Sequence, residues 1–168
     1  MTRPVLRFAR VESPLGPLWV AETDAGVAGC TRADAPEAML TALRRRFPGV
    51  EPLADDVDAA WLFDGRPPRL DLAGLSSFDA RVYRVVHGIP AGETVTYGEV
   101  AVMIGSPGAA RAVGGAMSRC PLFPAVPCHR VVRAADGWSG WGGDASLKRR
   151  LLRAERAHRA PRGRALTR

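Results

Sequence analysis

Pro127-Cys128-His129-Arg130-Val131 sets a nucleophile beside a base and is the segment of this chain most loaded with potential chemistry. A cysteine reacts as its thiolate, so a free-thiol pKa of about 8.5 must be brought toward neutrality by a positive charge, a base or a helix N-terminus. His129 is the adjacent base. His129–Arg133 has strand propensity, and neighbouring side chains of an extended chain point to opposite faces, which favours a bridging water over a direct thiol–imidazole bond. The imidazole then needs an acceptor to orient it. Asp136, Asp144 and Glu155 are the acids that follow the motif, and Glu155 is the best placed, because the last helix can pack behind the strand. A small buried cysteine beside a satisfied histidine would leave the same letters, so the surroundings must decide.

Those surroundings begin with two short helices. Thr96-Tyr-Gly-Glu99 is a capping box that opens a helix of about eight residues ending near Gly105, and Ser106-Pro107 caps and starts a second over Gly108–Ser118. Joined by a tight turn, they make a helix-turn-helix signal. Ala109, Ala110, Ala112, Gly114, Gly115 and Ala116 leave the second helix almost without side chains, although each interior glycine costs roughly 1 kcal/mol of helicity. Small residues allow close approach, either to a neighbouring helix or to a narrow DNA groove with Arg111 as the long probe.

Upstream, Phe8–Ala21 reads as a hairpin around Ser13-Pro-Leu-Gly16, with a third strand over Val27–Thr31. Asp34, Pro36 and Glu37 start a helix whose Met39, Leu40, Leu43 and Phe47 share a face, and Pro48-Gly49 stops it. Glu51–Gly74 lacks periodicity and reads as a linker with at most a short helix, which puts a lobe boundary there. A helix with an apolar stripe of Phe78, Val82 and Val85 follows Ser77, with Gly88 at its C-terminal cap. Downstream come a proline-stiffened approach over Pro121–Pro127, a turn at Asp136-Gly137, a Gly-rich stretch over Ser139–Gly143, and a last helix. Asp144 or Ser146 caps that helix, Leu147, Leu151 and Leu152 face inward, and Arg159–Arg168 is a basic tail.

The composition agrees with a folded chain that meets a polyanion. At 168 residues it is one domain or two small lobes. No apolar run approaches the roughly 18 residues of a membrane span, and the opening residues carry no signal-peptide core, which predicts a cytoplasmic protein without a membrane partner. Three cysteines, Cys30, Cys120 and Cys128, support neither a disulfide framework nor a zinc knuckle, and Cys30 is expected to be buried. Met1–Gly74 holds nine basic and eleven acidic residues and Leu75–Arg168 fifteen and six, so the net charge of +7 divides as −2 and +9. A basic second half fits nucleic acid. The arginine-rich, alanine-rich composition also fits a bias of the genome.

Ile89-Pro-Ala-Gly-Glu-Thr-Val-Thr-Tyr97-Gly-Glu-Val-Ala, Ala110-Arg111-Ala-Val-Gly-Gly-Ala-Met, Val126-Pro-Cys128-His-Arg-Val-Val, Gly142-Gly and Lys148 with Leu151-Leu152 and Glu155 resemble the methylated-DNA–protein-cysteine (O6-alkylguanine-DNA) alkyltransferases. The resemblance runs from Phe78 to Glu155, and Ser13-Pro-Leu-Gly16 is similar to that family's first hairpin. It implies an α+β protein. A ribonuclease H-like N-terminal lobe with a small antiparallel sheet would span residues 1–74, an all-α, winged helix-turn-helix lobe with the active-site cysteine residues 75–158, and a flexible tail residues 159–168.

The same resemblance implies double-stranded DNA carrying O6-alkylguanine as the partner, bound through the minor groove by the second helix. Arg111 would enter the stack in place of the flipped nucleotide and Tyr97 would help to rotate it out. Ala110, Gly114, Gly115, Val131, Trp141 and the Gly142 N–H would complete the contacts to DNA and base. Cys128, activated through water by His129 and Glu155, would accept the alkyl group irreversibly, with Tyr97 donating toward guanine N3, no metal and no cofactor. The protein would be monomeric, with cooperative binding to DNA and activity on O4-alkylthymine left open. Departures from the pattern are Cys120 at the usual hinge asparagine, Phe123 beside the pocket, Trp141 for a tyrosine, and no counterpart of the N-terminal zinc ligands of some relatives. Two other functions compete: an alkyltransferase-like protein that senses damage without transfer, in which the acceptor cysteine is usually replaced, and a thiol hydrolase, which has no use for the helix-turn-helix.

Overall fold

The computed structural model describes residues 4–135, 137 and 144–159. Backbone contacts divide the chain into two compact units, one formed by residues up to Tyr83 together with Cys120–Val126, the other by Arg84–Arg119 together with the residues from Pro127 onward.

In the first unit β1 (Arg7–Val11), β2 (Leu18–Thr23) and β3 (Gly26–Thr31) form an antiparallel meander. The first hairpin closes where the sequence expects it. Gly16 turns with a φ of 87°, and Ser13 Oγ accepts from the Leu15 N–H while donating to the Gly16 carbonyl. Helix α1 (Glu37–Arg46) lays Met39, Leu40 and Leu43 over the sheet, where they meet Leu6, Ala21, Ala28 and Phe47. It starts at Pro36 without a side-chain cap, so the expected Asp34–Glu37 start is not formed. Cys30 is buried in β3, and burial, only partly offset by a hydrogen bond with Ala125, pushes its thiol up to about 12.

Glu51–Gly74 is not a plain linker. Its residues form β4 (Leu53–Ala54), parallel to β1, so the sheet order is β3-β2-β1-β4 and the sheet is mixed. A one-turn helix α2 (Trp61–Asp64) follows. Leu70 bridges to Val27, Thr23 Oγ1 donates to buried Asp71 Oδ2 at 2.5 Å, and the Asp71 N–H donates to the Val27 carbonyl at 2.8 Å. Two-residue strands carry no alternation to read, and these contacts are mostly backbone bonds that leave no mark in side-chain pattern. The division between units consequently falls within helix α3 (Ser77–His87), nine residues beyond Gly74, and Cys120–Val126 returns to the first unit through the Cys30 N–H on the Pro121 carbonyl.

Helix α3 buries Ala80, Val82, Tyr83 and Val86, while Phe78 and Val85 of the expected stripe are only half-buried. Gly88 does not adopt the left-handed cap. Pro90 ends the helix instead, by restricting the residue before it. The second unit continues with β5 (Val95–Thr96), α4 (Tyr97–Met103), α5 (Ala110–Ser118), β6 (Val131–Val132) and α6 (Ala145–Arg159). The α4–α5 pair is the expected helix-turn-helix, with Gly105 at a φ of 75° between them, although α5 begins at Ala110 without a cap from Ser106. Among the described residues no helix is long and apolar enough to cross a membrane.

Arg46 holds the first unit together from the last turn of α1. Its guanidinium donates to three carbonyls, those of Ala28, of Asp71 at 2.7 Å and of Ala73 at 3.0 Å, joining the helix to β3 and to the segment after α2. The carbonyls of Ala28 and Asp71 are partly buried, and each left without a donor costs about 1–3 kcal/mol. Arg46→Met is expected to lower stability by about 2–4 kcal/mol, seen as a lower urea midpoint, and an unchanged midpoint would refute the role given to Arg46.

Candidate active site

The site is assembled from the capping box outward. The Glu99 N–H donates to Thr96 Oγ1 at 3.2 Å and the Thr96 N–H donates to Glu99 Oε2 at 2.7 Å, which fixes Tyr97 as the first residue of α4. Immediately before it, β5 pairs in parallel with β6, Val95 opposite Val131 and Thr96 opposite Val132. Tyr97 is therefore tied through two short strands to the residues that follow Cys128-His129-Arg130.

Those three residues form a 3-10 turn rather than the expected extended strand, which is limited to Val131–Val132. Pro127 causes the difference. It brings the chain in with a φ of −78° and its carbonyl accepts from the Arg130 N–H at 3.0 Å. Successive side chains of such a turn diverge by about 120°, so Cys128 and His129 still face different ways, as a water-bridged pair would. Both are buried, at 1% and 4% exposure.

Helix α6 supplies the acid. Asp144 Oδ1 accepts from the Leu147 N–H at 3.0 Å and caps it, and Leu147, Lys148 and Leu152 form the buried face. Glu155 continues that face. Its Oε1 lies 2.6 Å from His129 Nε2, the Gly92 N–H donates to Oε2 at 3.1 Å, and Arg130 grips both oxygens through Nε and Nη2, with contacts at 3.0 and 2.9 Å. Arg130 Nη1 also donates to the Ile89 carbonyl at 2.6 Å. Burial works to raise the Glu155 pKa, but the bonds from His129 and Arg130 outweigh it and bring the group down to about 2. Burial lowers His129, against the pull of Glu155 and helped by the charges of Arg130 and Lys148. At neutral pH the pair is thus carboxylate and neutral imidazole. An ionised carboxylate only accepts, so the ring proton sits on Nε2 and the lone pair on Nδ1.

Three contributors have no role assigned from the sequence, although all three lie in the segments that carry the resemblance. Arg130 was one more arginine in a basic half. Lys148, only 1% exposed, donates from Nζ to the Val131 carbonyl at 2.5 Å and lies 5.9 Å from the centre of the Tyr97 ring. Gly92 offers a backbone N–H, which no side-chain pattern reports. A signal for Arg130 did exist, because Glu155 is the single acid on a helix with six basic residues besides histidine, and an inward carboxylate needs more than one donor.

The remaining expected residues are distributed as follows. Tyr97 is half-buried, and a Cβ at Gly114 would lie 4.0 Å from its ring, so this glycine faces a neighbouring helix as well as leaving a smooth surface. A Cβ at Gly115 would meet only the end of the Arg119 side chain, at 3.0 Å. Helix α5 buries Val113, Ala116 and Met117 and exposes Arg111 and Ala112, with Ala110 at its half-buried start. Val131 is fully buried. Trp141 and Gly142 lie outside the described residues. Among the described residues no three His, Cys, Asp or Glu side chains come together as a metal site requires.

This arrangement defines a class: a helix-turn-helix unit that also carries a buried cysteine next in sequence to a neutral imidazole bonded to a clamped carboxylate. Residues 77–157 match the family model described as the 6-O-methylguanine DNA methyltransferase, DNA binding domain. The fold resembles the crystal structure of the Mycobacterium tuberculosis O6-methylguanine methyltransferase, at a TM-score of 0.71 and 33% identity over 95% of this chain and 97% of that one. It also resembles the structure of M. tuberculosis OGT in complex with DNA, at 0.70 and 34% over 93% and 96%. A methylated-DNA–protein-cysteine methyltransferase of Mycolicibacterium paratuberculosis is 52% identical over 89 residues, 53% of each chain, so the match spans about half the length of that curated relative. The chain belongs to the O6-methylguanine-DNA methyltransferase family.

The clamp on Glu155 has a pH signature. Its folded value lies below the ordinary 4.5, so its stabilisation is complete above about pH 4.5 and is lost as pH falls toward 2. Lowering of His129 acts in the same direction, because the folded state resists a proton that the unfolded chain accepts below about pH 6.5. The stability difference between wild type and Glu155→Gln is expected to shrink by about 2–3 kcal/mol between pH 5 and pH 2. Urea midpoints across that range measure it, and a constant difference would contradict the clamp.

Proposed function

We propose that this protein repairs duplex DNA by transferring the alkyl group of O6-alkylguanine to Cys128. The observation that carries the reading is the 2.6 Å bond between Glu155 and His129 Nε2, which leaves Nδ1 of a neutral imidazole as a base one residue from a buried cysteine. A water on Nδ1 takes the thiol proton. The thiolate attacks the alkyl carbon, the S–C bond forms as the C–O6 bond breaks, and the electron pair stays on guanine. Tyr97 donates toward N3 as that charge develops, and the proton budget closes through solvent.

The O6 atom of a stacked base is out of reach of a buried thiol, so the nucleotide must leave the helix. Arg111, exposed on α5, fits the role of filling the gap, and the small residues Ala110, Gly114 and Gly115 fit close approach in the minor groove. Val131, Trp141 and Gly142 complete the base contacts in this reading. The product is a thioether, which no group beside it can cleave, so each molecule acts once and needs neither metal nor cofactor.

Intact-protein mass spectrometry after mixing with a duplex carrying one O6-methylguanine should show a gain of about 14 Da, one methyl group for the one thiolate consumed, mapped to Cys128. Cys128→Ala should lose transfer while still binding DNA. Tight binding to the lesion without any gain of mass would favour damage sensing, and turnover on esters or amides would favour a hydrolase. Arg111→Ala should slow repair of a paired lesion by about tenfold or more and leave transfer from the free base unchanged. Equal losses on both would refute its role in flipping.

A further inference from the structure

Lysine is a costly residue to bury, and Lys148 is 1% exposed. Its carbon chain could be replaced by methionine or leucine at the same volume without desolvating an ammonium. The places where the ammonium is used are specific. Nζ donates to the carbonyl of Val131, in the strand that continues directly from Cys128-His129-Arg130, and stands 5.9 Å from the centre of the Tyr97 ring, within the range in which a cation is attracted to an aromatic face. Another neighbour of the ring is α5, where a Cβ at Gly114 would come to 4.0 Å from it. Tyr97 thus stands between a charge on α6 and the small-residue face of the second helix of the helix-turn-helix.

We propose that Lys148 is a positioning residue for Tyr97: its buried ammonium, anchored on the Val131 carbonyl, fixes the ring and so aims the phenol hydroxyl at the flipped base. This rests on the reading of Tyr97 as the group that acts on that base. The anchor gives the device its precision, because the strand that carries the nucleophile's turn also fixes the cation that orients the donor. A flexible tyrosine would have to be ordered during the reaction; one already held saves that entropy.

The test is a double-mutant cycle on the rate of methyl transfer from duplex DNA. Lys148→Met removes the ammonium with its bond to the Val131 carbonyl and its contact with the Tyr97 ring, whereas Lys148→Gln removes the charge but keeps a shorter N–H donor. In wild-type background each variant should slow transfer by about tenfold or more, with unchanged far-ultraviolet circular dichroism. In the Tyr97→Phe background, which keeps the ring and lacks the hydroxyl, the same changes should cost less than about twofold, since there is no hydroxyl left to aim. Losses that multiply in full would overturn the proposal and leave Lys148 a structural residue, as would loss of fold in both lysine variants. A wild-type protein that transfers no methyl group would overturn the repair reading itself, and a Tyr97→Phe variant as fast as wild type would overturn the role given to Tyr97.

Discussion

The carboxylate of Glu155 is the point on which the second unit turns. An isolated carboxylate taken out of water costs several kcal/mol even after relaxation, and this one is compensated by His129, by the Arg130 fork and by the Gly92 N–H. The donors come from two separate stretches of chain, so satisfying one buried charge draws together α6, the turn after Pro127 and the loop after α3. The chemistry is a consequence. Once the carboxylate is ionised and clamped, the imidazole beside it has one tautomer and one orientation, and Nδ1 is the ring atom a proton relay can use.

Helix α6 therefore does two things with a single buried face. Glu155 addresses His129, and Lys148, two turns earlier, addresses the Tyr97 ring and the Val131 carbonyl. Opposite charges on one face of one helix reach the base beside the nucleophile and the proposed proton donor. The parallel pair β5–β6 joins these ends from the other side, since Thr96 is both a strand residue and the cap of α4. Small shifts of α6 would move donor and relay together, which suits the proposed reaction, in which a thiolate attacks as a leaving base is protonated.

The first unit is held in a different way. Its apolar core under α1 is ordinary, and the less obvious stabilisation is polar, with Arg46 on three carbonyls and Thr23 on Asp71. These bonds recruit Glu51–Gly74 into the sheet unit although that stretch has almost no apolar periodicity. Backbone pairing and one long cation do there what side-chain burial does elsewhere.

Much of the site was legible in order along the chain. Thr96-Tyr-Gly-Glu99 is a capping box whose two bonds are local, so four letters determine the start of α4 and the place of Tyr97. The hairpin at Ser13–Gly16, the amphipathic face of α1 and the inward Leu147 and Leu152 are likewise short-range matters of turn chemistry and periodicity. Cys128, His129 and Glu155 could be named because their chemistry needs those types, and Glu155 is favoured over Asp136 and Asp144 as the partner of His129 because the last helix can pack behind the strand. What tertiary structure decided is everything that depends on residues meeting across the chain. Arg130 became a clamp rather than one of many surface arginines, and Lys148 went inside, whereas the 3-10 turn after Pro127 is a local feature that strand propensity misreads. The reason is common to both cations: local pattern encodes backbone geometry and the sign of a residue's solvation preference, whereas a buried charge is stable only where distant partners converge on it, and that convergence exists only in the folded chain.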